Sequence, residues 1–427
     1  MTKKLNFFSL ILLFFLLLYA FVPYNISINT RQDQAQSPIH LSATSGDLLW
    51  NYTTTEGIRS VDISANGDFI TSSSDSSVYL FNETSSAMKT PIWTYVTTAS
   101  VYAAAISDDG NHIAAVNDDR HIFLLNNSLM TPKLPIWDYS PTGGVMNDVA
   151  ISSDGKYIVA ATDSGVIYLL NDSISSPKTE MWSYATGANI WSVAMSADGT
   201  YVAVACKDNH LYLFNKASST PLWNYSAGVD VNSVAISSDG NYIVSGTEDN
   251  KVYLFHRSNS IPLWNYTTNG EVYSVAINSN GDYITAGGFD NTLYLFERLS
   301  PTPLWNFTSG AQIGDEIFPR CIALSDNGNY IAMGSYDNRI YLFEKSSPTP
   351  KWNYTAGADI SCVAISGDGS HVVAGCKNWQ VYLLYQEIPS IPGPQIPFGN
   401  LFILIAIISI ISIITLRKKH LHLSNNN

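Results

Sequence analysis

Val231-Asn-Ser-Val-Ala-Ile-Ser-Ser-Asp-Gly240, Tyr242-Ile-Val-Ser-Gly-Thr247, Asp249-Asn250 and Val252-Tyr-Leu-Phe255 follow one another almost without a gap. The first segment alternates apolar and small polar residues and stops at Ser-Asp-Gly, a turn that needs positive φ or a carboxylate capping its own backbone. A second short strand runs to the Asp-Asn turn, and a third, Val-Tyr-Leu-Phe, is apolar on both faces. A Ser/Pro-rich loop then leads to Trp264, which opens a fourth strand. Four short antiparallel strands therefore make one unit.

The unit occurs eight times, and its period is visible in Trp50, Trp93, Trp137, Trp182, Trp223, Trp264, Trp305 and Trp352. The third strand recurs as Val78-Tyr-Leu-Phe81, Ile122-Phe-Leu-Leu125, Ile167-Tyr-Leu-Leu170, Leu211-Tyr-Leu-Phe214, Leu293-Tyr-Leu-Phe296, Ile340-Tyr-Leu-Phe343 and Val381-Tyr-Leu-Leu384. A strand apolar on both faces needs cover above and below, which radially stacked blades supply and an open sheet does not. The repeats begin with a Trp strand, Leu48 to Thr53, and end on the Tyr-Leu strand Val381 to Tyr385. The first strand is therefore expected to complete the last blade and remove its open edge. The fold class expected is all-β, an eight-bladed β-propeller closed by its N-terminal strand.

Residues 47–385 resemble WD40-type propellers in every repeat, through the Ser-x-Asp-Gly turn and the Asp before the third strand. Those aspartates are Asp75, Asp119, Asp208, Asp249, Asp290 and Asp337, with Asp163 one place early and Asn378 in the last repeat. The family's Trp-Asp dipeptide is replaced by Phe-Asn, Leu-Asn or Phe-Glu, and its Gly-His pair is missing. The spacing from Tyr-Leu-Phe to Trp is also similar to quinoprotein-type repeats, which build eight-bladed rings. The resemblance implies the fold, and as alternative functions it implies a quinone-dependent (PQQ-type) oxidoreductase or an envelope-assembly propeller.

The ends read differently. Lys3-Lys4 precedes an apolar run from Leu5 to Pro23, a signal peptide or signal anchor over residues 1–24, and 25–46 is a linker. After the propeller, a Pro-rich stalk spans 386–397. An uncharged run, 398–416, is long enough to cross a bilayer, and Arg417-Lys418-Lys419 opens a cytoplasmic tail, 417–427. Positive flanks stay inside, so the ring is expected outside: a type I protein if the signal is cleaved near Ala20, two-pass if it is not. Charged residues are only 13% of the chain, and 17 basic against 35 acidic residues lie between the apolar runs, a net −18. That field repels nucleic acid and leaves divalent cations, basic partners or plain solubility as its use.

No metal cluster, nucleophile elbow or phosphate loop is present, so no catalytic residue, metal or cofactor is expected. His112 and His371 stand in a slot that other repeats give to Tyr or Phe, which makes them structural. Cys362 and Cys376 could face each other across a hairpin as a disulfide, or serve with Cys206 and Cys321 as small buried thiols. Nine Asn-x-Ser/Thr sequons occur, at Asn25, Asn51, Asn82, Asn126, Asn171, Asn224, Asn265, Asn306 and Asn353. Asn51, Asn224, Asn265, Asn306 and Asn353 directly follow the repeat Trp, so alternation turns them outward as candidate glycosylation sites; otherwise the motif was merely copied with the repeat.

Comparing repeats separates columns that the fold fixes from those that it leaves free. One residue after the first apolar position of each inner strand come Arg59, Tyr102, Asn147, Trp191, Asn232, Tyr273, Arg320 and Ser361. Inner strands line the axis, so this column is expected to ring the central mouth, as a protein, peptide or glycan site or as an ordinary solvated rim. An insertion at Ala311 to Pro319 lies on the same face, and Phe289, Tyr336 and Trp379 on adjoining turns are expected to form an aromatic patch.

Overall fold

The computed structural model describes residues 46–84, 89–129, 132–173, 178–315 and 319–388. The signal segment, most of the linker and stalk, and the membrane helix expected from the sequence fall outside these residues.

Eight four-stranded antiparallel sheets form the structure. Blade 1 comprises Ile58–Ile63, Phe69–Ser74, Ser77–Asn82 and Trp93–Val96, and the following blades repeat that order. Blade 8 takes Ile360–Ile365, His371–Cys376 and Gln380–Tyr385 from the C-terminal end and Asp47–Thr53 from the N-terminal end. Trp50 stands opposite Leu383 in that pairing, so the closing strand is the one expected from the sequence.

The third strands are the centre of the core. Leu80, Phe81, Leu213, Phe214, Leu254, Phe255, Leu342 and Phe343 are fully buried. Trp50, Trp182, Trp223, Trp264 and Trp305 meet Phe81, Phe214, Phe255, Phe296 and Phe343 of the next blade, with ring centroids 5.1 to 5.6 Å apart. Aromatic contacts of this size hold blade to blade, which is why both faces of a third strand must be apolar.

Each Ser-x-Asp-Gly or equivalent turn does two things. In blade 5, Ser237 Oγ donates to Asp239 Oδ1 and accepts the Tyr242 N–H, fixing a turn in which Gly240 has φ of 69°. A Cβ on Gly240 would sit 2.4 Å from the Tyr201 ring of blade 4, so only glycine fits both the conformation and the contact. Gly67 lies in the same way on His371 of blade 8, so that histidine fills the structural slot expected for it.

Backbone bonds at this end close the circle. The N–H groups of Ala65, Asp108, Ser153, Ala197, Ser238, Ser279, Asp326 and Gly367 each donate to the carbonyl of the next blade's equivalent residue, and Gly367 donates back to Ala65 at 2.8 Å. An eight-membered belt of peptide groups thus surrounds the axis opposite the mouth.

One cysteine expectation is corrected. Cys362 stands opposite Gly375 and Cys376 opposite Ile360, because the register shifts between Ile360 and Cys362. The shift carries the two sulfurs past each other, and all four cysteines are free and buried.

Candidate functional site

The free column owes its freedom to a backbone irregularity. In seven blades the register between inner and middle strand shifts across one residue, and that residue is Arg59, Tyr102, Asn147, Trp191, Asn232, Tyr273 or Ser361. A bulge residue has no ladder partner and its side chain is re-aimed, so the sheet does not dictate its identity. In blade 7 the strand starts only at Ile322, and Arg320 precedes it at the end of the insertion.

Six of the eight column residues converge. Arg59, Tyr102, Asn147, Trp191, Arg320 and Ser361 line one cavity of about 270 Å³, joined by Ser60, Ala103, Asp148, Pro319 and Cys362. The other two go elsewhere. Tyr273 is buried, with its hydroxyl on Glu271 Oε2 at 2.5 Å, and Asn232 is buried with its amide donating to Val272 O at 3.4 Å. Tyr273 thus folds back onto its own segment and Asn232 onto blade 6, and the cavity is lined from blades 7, 8, 1, 2, 3 and 4.

Arg320 is the central group. Its Nη2 donates to Asp148 Oδ1 at 2.5 Å and to Val149 O at 3.0 Å, from blade 7 to blade 3, the opposite side of an eight-bladed ring. Asp148 is 3% exposed and is otherwise spent on backbone, its carboxylate accepting the N–H groups of Val149 and Val193. It stands where other blades use Ser60, Ser192, Ser233 or Ser274 to accept a backbone N–H of the next blade. The buried carboxylate holds the Arg320 guanidinium charged, while burial opposes it. Arg59, at the rim, donates through Nε to Asp75 Oδ1 at 2.8 Å and lies over the Tyr102 ring at 5.3 Å.

Further down the axis, the fifth inner-strand position is alanine in seven blades and Asp62 in the eighth. The Asp62 carboxylate accepts the N–H groups of Ile63 and Ile106. Burial pushes it up to about 6, against the downward pull of those bonds and of Arg320. At the belt, burial and the nearby Asp326 raise Asp108. Asp62 is thus a single carboxylate in an otherwise alanine ring between the guanidinium groups of the mouth and the belt. Column comparison three places further on would have singled out Asp62, and one place further on Asp148.

The aromatic patch is only partly assembled. Phe289 is 60% and Trp379 50% exposed, but Tyr336 is half-buried, its hydroxyl donating to Asp315 Oδ2 at 2.6 Å and its ring covered by Lys377. No ring contact joins the three among the described residues. Within the insertion, Ile313 is fully buried beside Gly287.

The five sequon asparagines after the repeat Trp are all exposed, with the neighbouring Trp turned inward. Asn82, Asn126 and Asn171 differ, because Lys89, Lys133 and Lys178 donate to their side-chain and main-chain oxygens and cover Trp50, Trp93 and Trp137 of the preceding blade. Those asparagines are structural. Among the described residues, no three His, Cys, Asp or Glu side chains converge as metal ligands.

Residues 135–354, 220 of the 427, match the family model described as outer membrane protein assembly factor BamB. The chain belongs to that family. Within this BamB-family chain, residues 46–82 and 349–383 also match the WD domain, G-beta repeat, and these two segments meet at the ring closure. No curated protein matches the chain. A solved relative in fold is the computationally designed Ika8 protein, at 14% identity and a TM-score of 0.64, covering 78% of this chain and 98% of that one. At that identity the likeness concerns architecture alone.

Proposed function

We propose that the chain is a membrane-anchored, extracytoplasmic, non-catalytic propeller that docks a protein, peptide or glycan partner at its central mouth. The observation that carries this reading is the convergence of five bulge side chains and Arg320, with Arg, Trp, Tyr and Asn among them, on one cavity. Anchoring residues at interfaces are drawn from such types. Membership of a family named for an assembly factor supports a platform role. The apolar runs 5–23 and 398–416, with Lys3-Lys4 and Arg417-Lys418-Lys419 beside them, support the anchoring and the outward orientation. The exposed Asn51, Asn224, Asn265, Asn306 and Asn353 are the candidate glycan sites of this reading.

The test is site-specific photo-crosslinking in intact membranes of the full chain. A crosslinker at position 102, in the mouth, is expected to give discrete adducts, and one at Leu263, on the outer rim, is expected to give none. Adducts from Leu263 alone, or from neither position, would overturn the mouth assignment. Protease added outside should release the ring by cutting in 386–397, and a ring protected until lysis would overturn the orientation.

A further inference from the structure

Hydrogen-bonding capacity around the mouth is unbalanced. Arg59 spends only Nε, on Asp75, and Arg320 spends only Nη2, on Asp148 and Val149. Trp191 Nε1 is buried without a partner. On the acceptor side, Asp148 already receives Val149, Val193 and Arg320. The Asn147 amide is occupied by Asn189 Oδ1 at 2.6 Å and Ile190 O at 3.1 Å, and Ser361 Oγ donates to Gly375 O at 3.2 Å. The spare N–H groups at the cavity are therefore those of two guanidiniums, Arg59 from blade 1 and Arg320 from blade 7.

Resting on the reading of the mouth as a partner site, we propose that this cavity takes a single carboxylate of a protein partner, bound by the guanidinium groups of Arg59 and Arg320. Guanidinium groups suit this role because they present several N–H donors in a plane that matches a carboxylate. A strongly acidic partner is disfavoured, since the region between the apolar runs carries net −18. The fitting segment is one whose lone carboxylate enters the cavity while basic residues beside it face the acidic ring. Two sources share this chemistry, a Glu or Asp side chain and a chain terminus.

Four fluorescent pentapeptides separate them, each measured by anisotropy on the purified full chain in detergent. Lys-Ala-Glu-Ala-Lys and its Gln counterpart, both blocked at the ends, report a side-chain acid. Lys-Ala-Lys-Ala-Ala as the free acid and as the amide reports a terminus. At least one acid is expected to bind tenfold or more tighter than its neutral counterpart. That contrast should shrink to under threefold in Arg59→Gln, with the variant's melt checked for folding. Equal binding of acid and neutral forms, binding of none, or a contrast that survives Arg59→Gln in a folded ring would overturn the carboxylate assignment. Crosslinks at position 102 would still stand in those cases, so failure here is distinguishable from failure of the docking site itself.

Discussion

Arg320 and Asp148 lie 172 residues apart in sequence and join across the propeller axis, Nη2 to Oδ1 at 2.5 Å. A column residue at a mouth is expected to be dispensable for stability, but this one is a cross-ring tie whose partner carboxylate is nearly inaccessible. Arg320→Ala should therefore cost ~2 kcal/mol, the range for a charge-assisted hydrogen bond lost from a buried acceptor. Asp148→Asn keeps an acceptor for the backbone and should cost less. A double-mutant cycle by chemical denaturation should show coupling of ~1 kcal/mol or more, and additive losses would mean that the pair contributes nothing.

Asp62 gives the ring a pH dependence. Its folded value of about 6 lies above the ~3.9 of an unfolded aspartate, so between those values the folded ring binds more protons than the unfolded chain. Stability owed to this group therefore falls as pH rises through that window. Arg320 pulls its pKa down and Asp108 pushes it up, but burial dominates. Relative to Asp62→Asn, the wild type should gain roughly 2 kcal/mol as pH falls from about 7 to about 4. Parallel stability curves for the two proteins would show that the carboxylate is solvated in the axis.

What the sequence made legible follows from repetition. Turn residues, doubly apolar third strands, the closing Trp strand and the outward asparagines each recur, so one physical reading is tested several times along the chain. The mouth column was legible as a free column, although its cause, a bulge in seven blades, depends on backbone register that side-chain alternation does not report. Tyr273 and Asn232 share the bulge but not the cavity, their polar ends being bonded to Glu271 and to the Val272 carbonyl. The Arg320 tie to Asp148 needed the ring to be closed in space before the two could be seen to meet.

Lys133 distinguishes two classes of sequon. Its ammonium donates to Asn126 Oδ1 at 2.7 Å and Ser128 O at 3.0 Å and sits 4.7 Å from the Trp93 ring centre in the preceding blade. Lys133→Met keeps the stem but orphans those oxygens, and should lower stability by ~2 kcal/mol. Asn126→Ala removes one of the ammonium's three acceptors and should cost ~1 kcal/mol, whereas Asn224→Ala, on the exposed outer strand, should stay within ~0.5 kcal/mol. Equal melts for the two asparagine variants would remove the structural role assigned to Asn126.

Trp379 stands at a turn position that blades 4 to 7 give to asparagine. Those residues are Asn209, Asn250, Asn291 and Asn338, all with positive φ; Arg120 of blade 2 and Trp379 of blade 8 are held there at 71° and 69°. Asparagine tolerates that conformation, while a bulky side chain is strained by roughly 1 kcal/mol. Its carbonyl is fixed by the N–H and Oγ1 of Thr54, both at 2.9 Å, bonds that any residue would keep. Half of the indole is exposed, so little packing offsets the strain. Strain retained without a packing return points to use at the surface. Trp379→Asn should therefore raise stability by ~1 kcal/mol while weakening capture of the partner crosslinked at position 102. A variant that melts lower than the wild type would mean that the indole is a packing element, and the strained position would then carry no binding role.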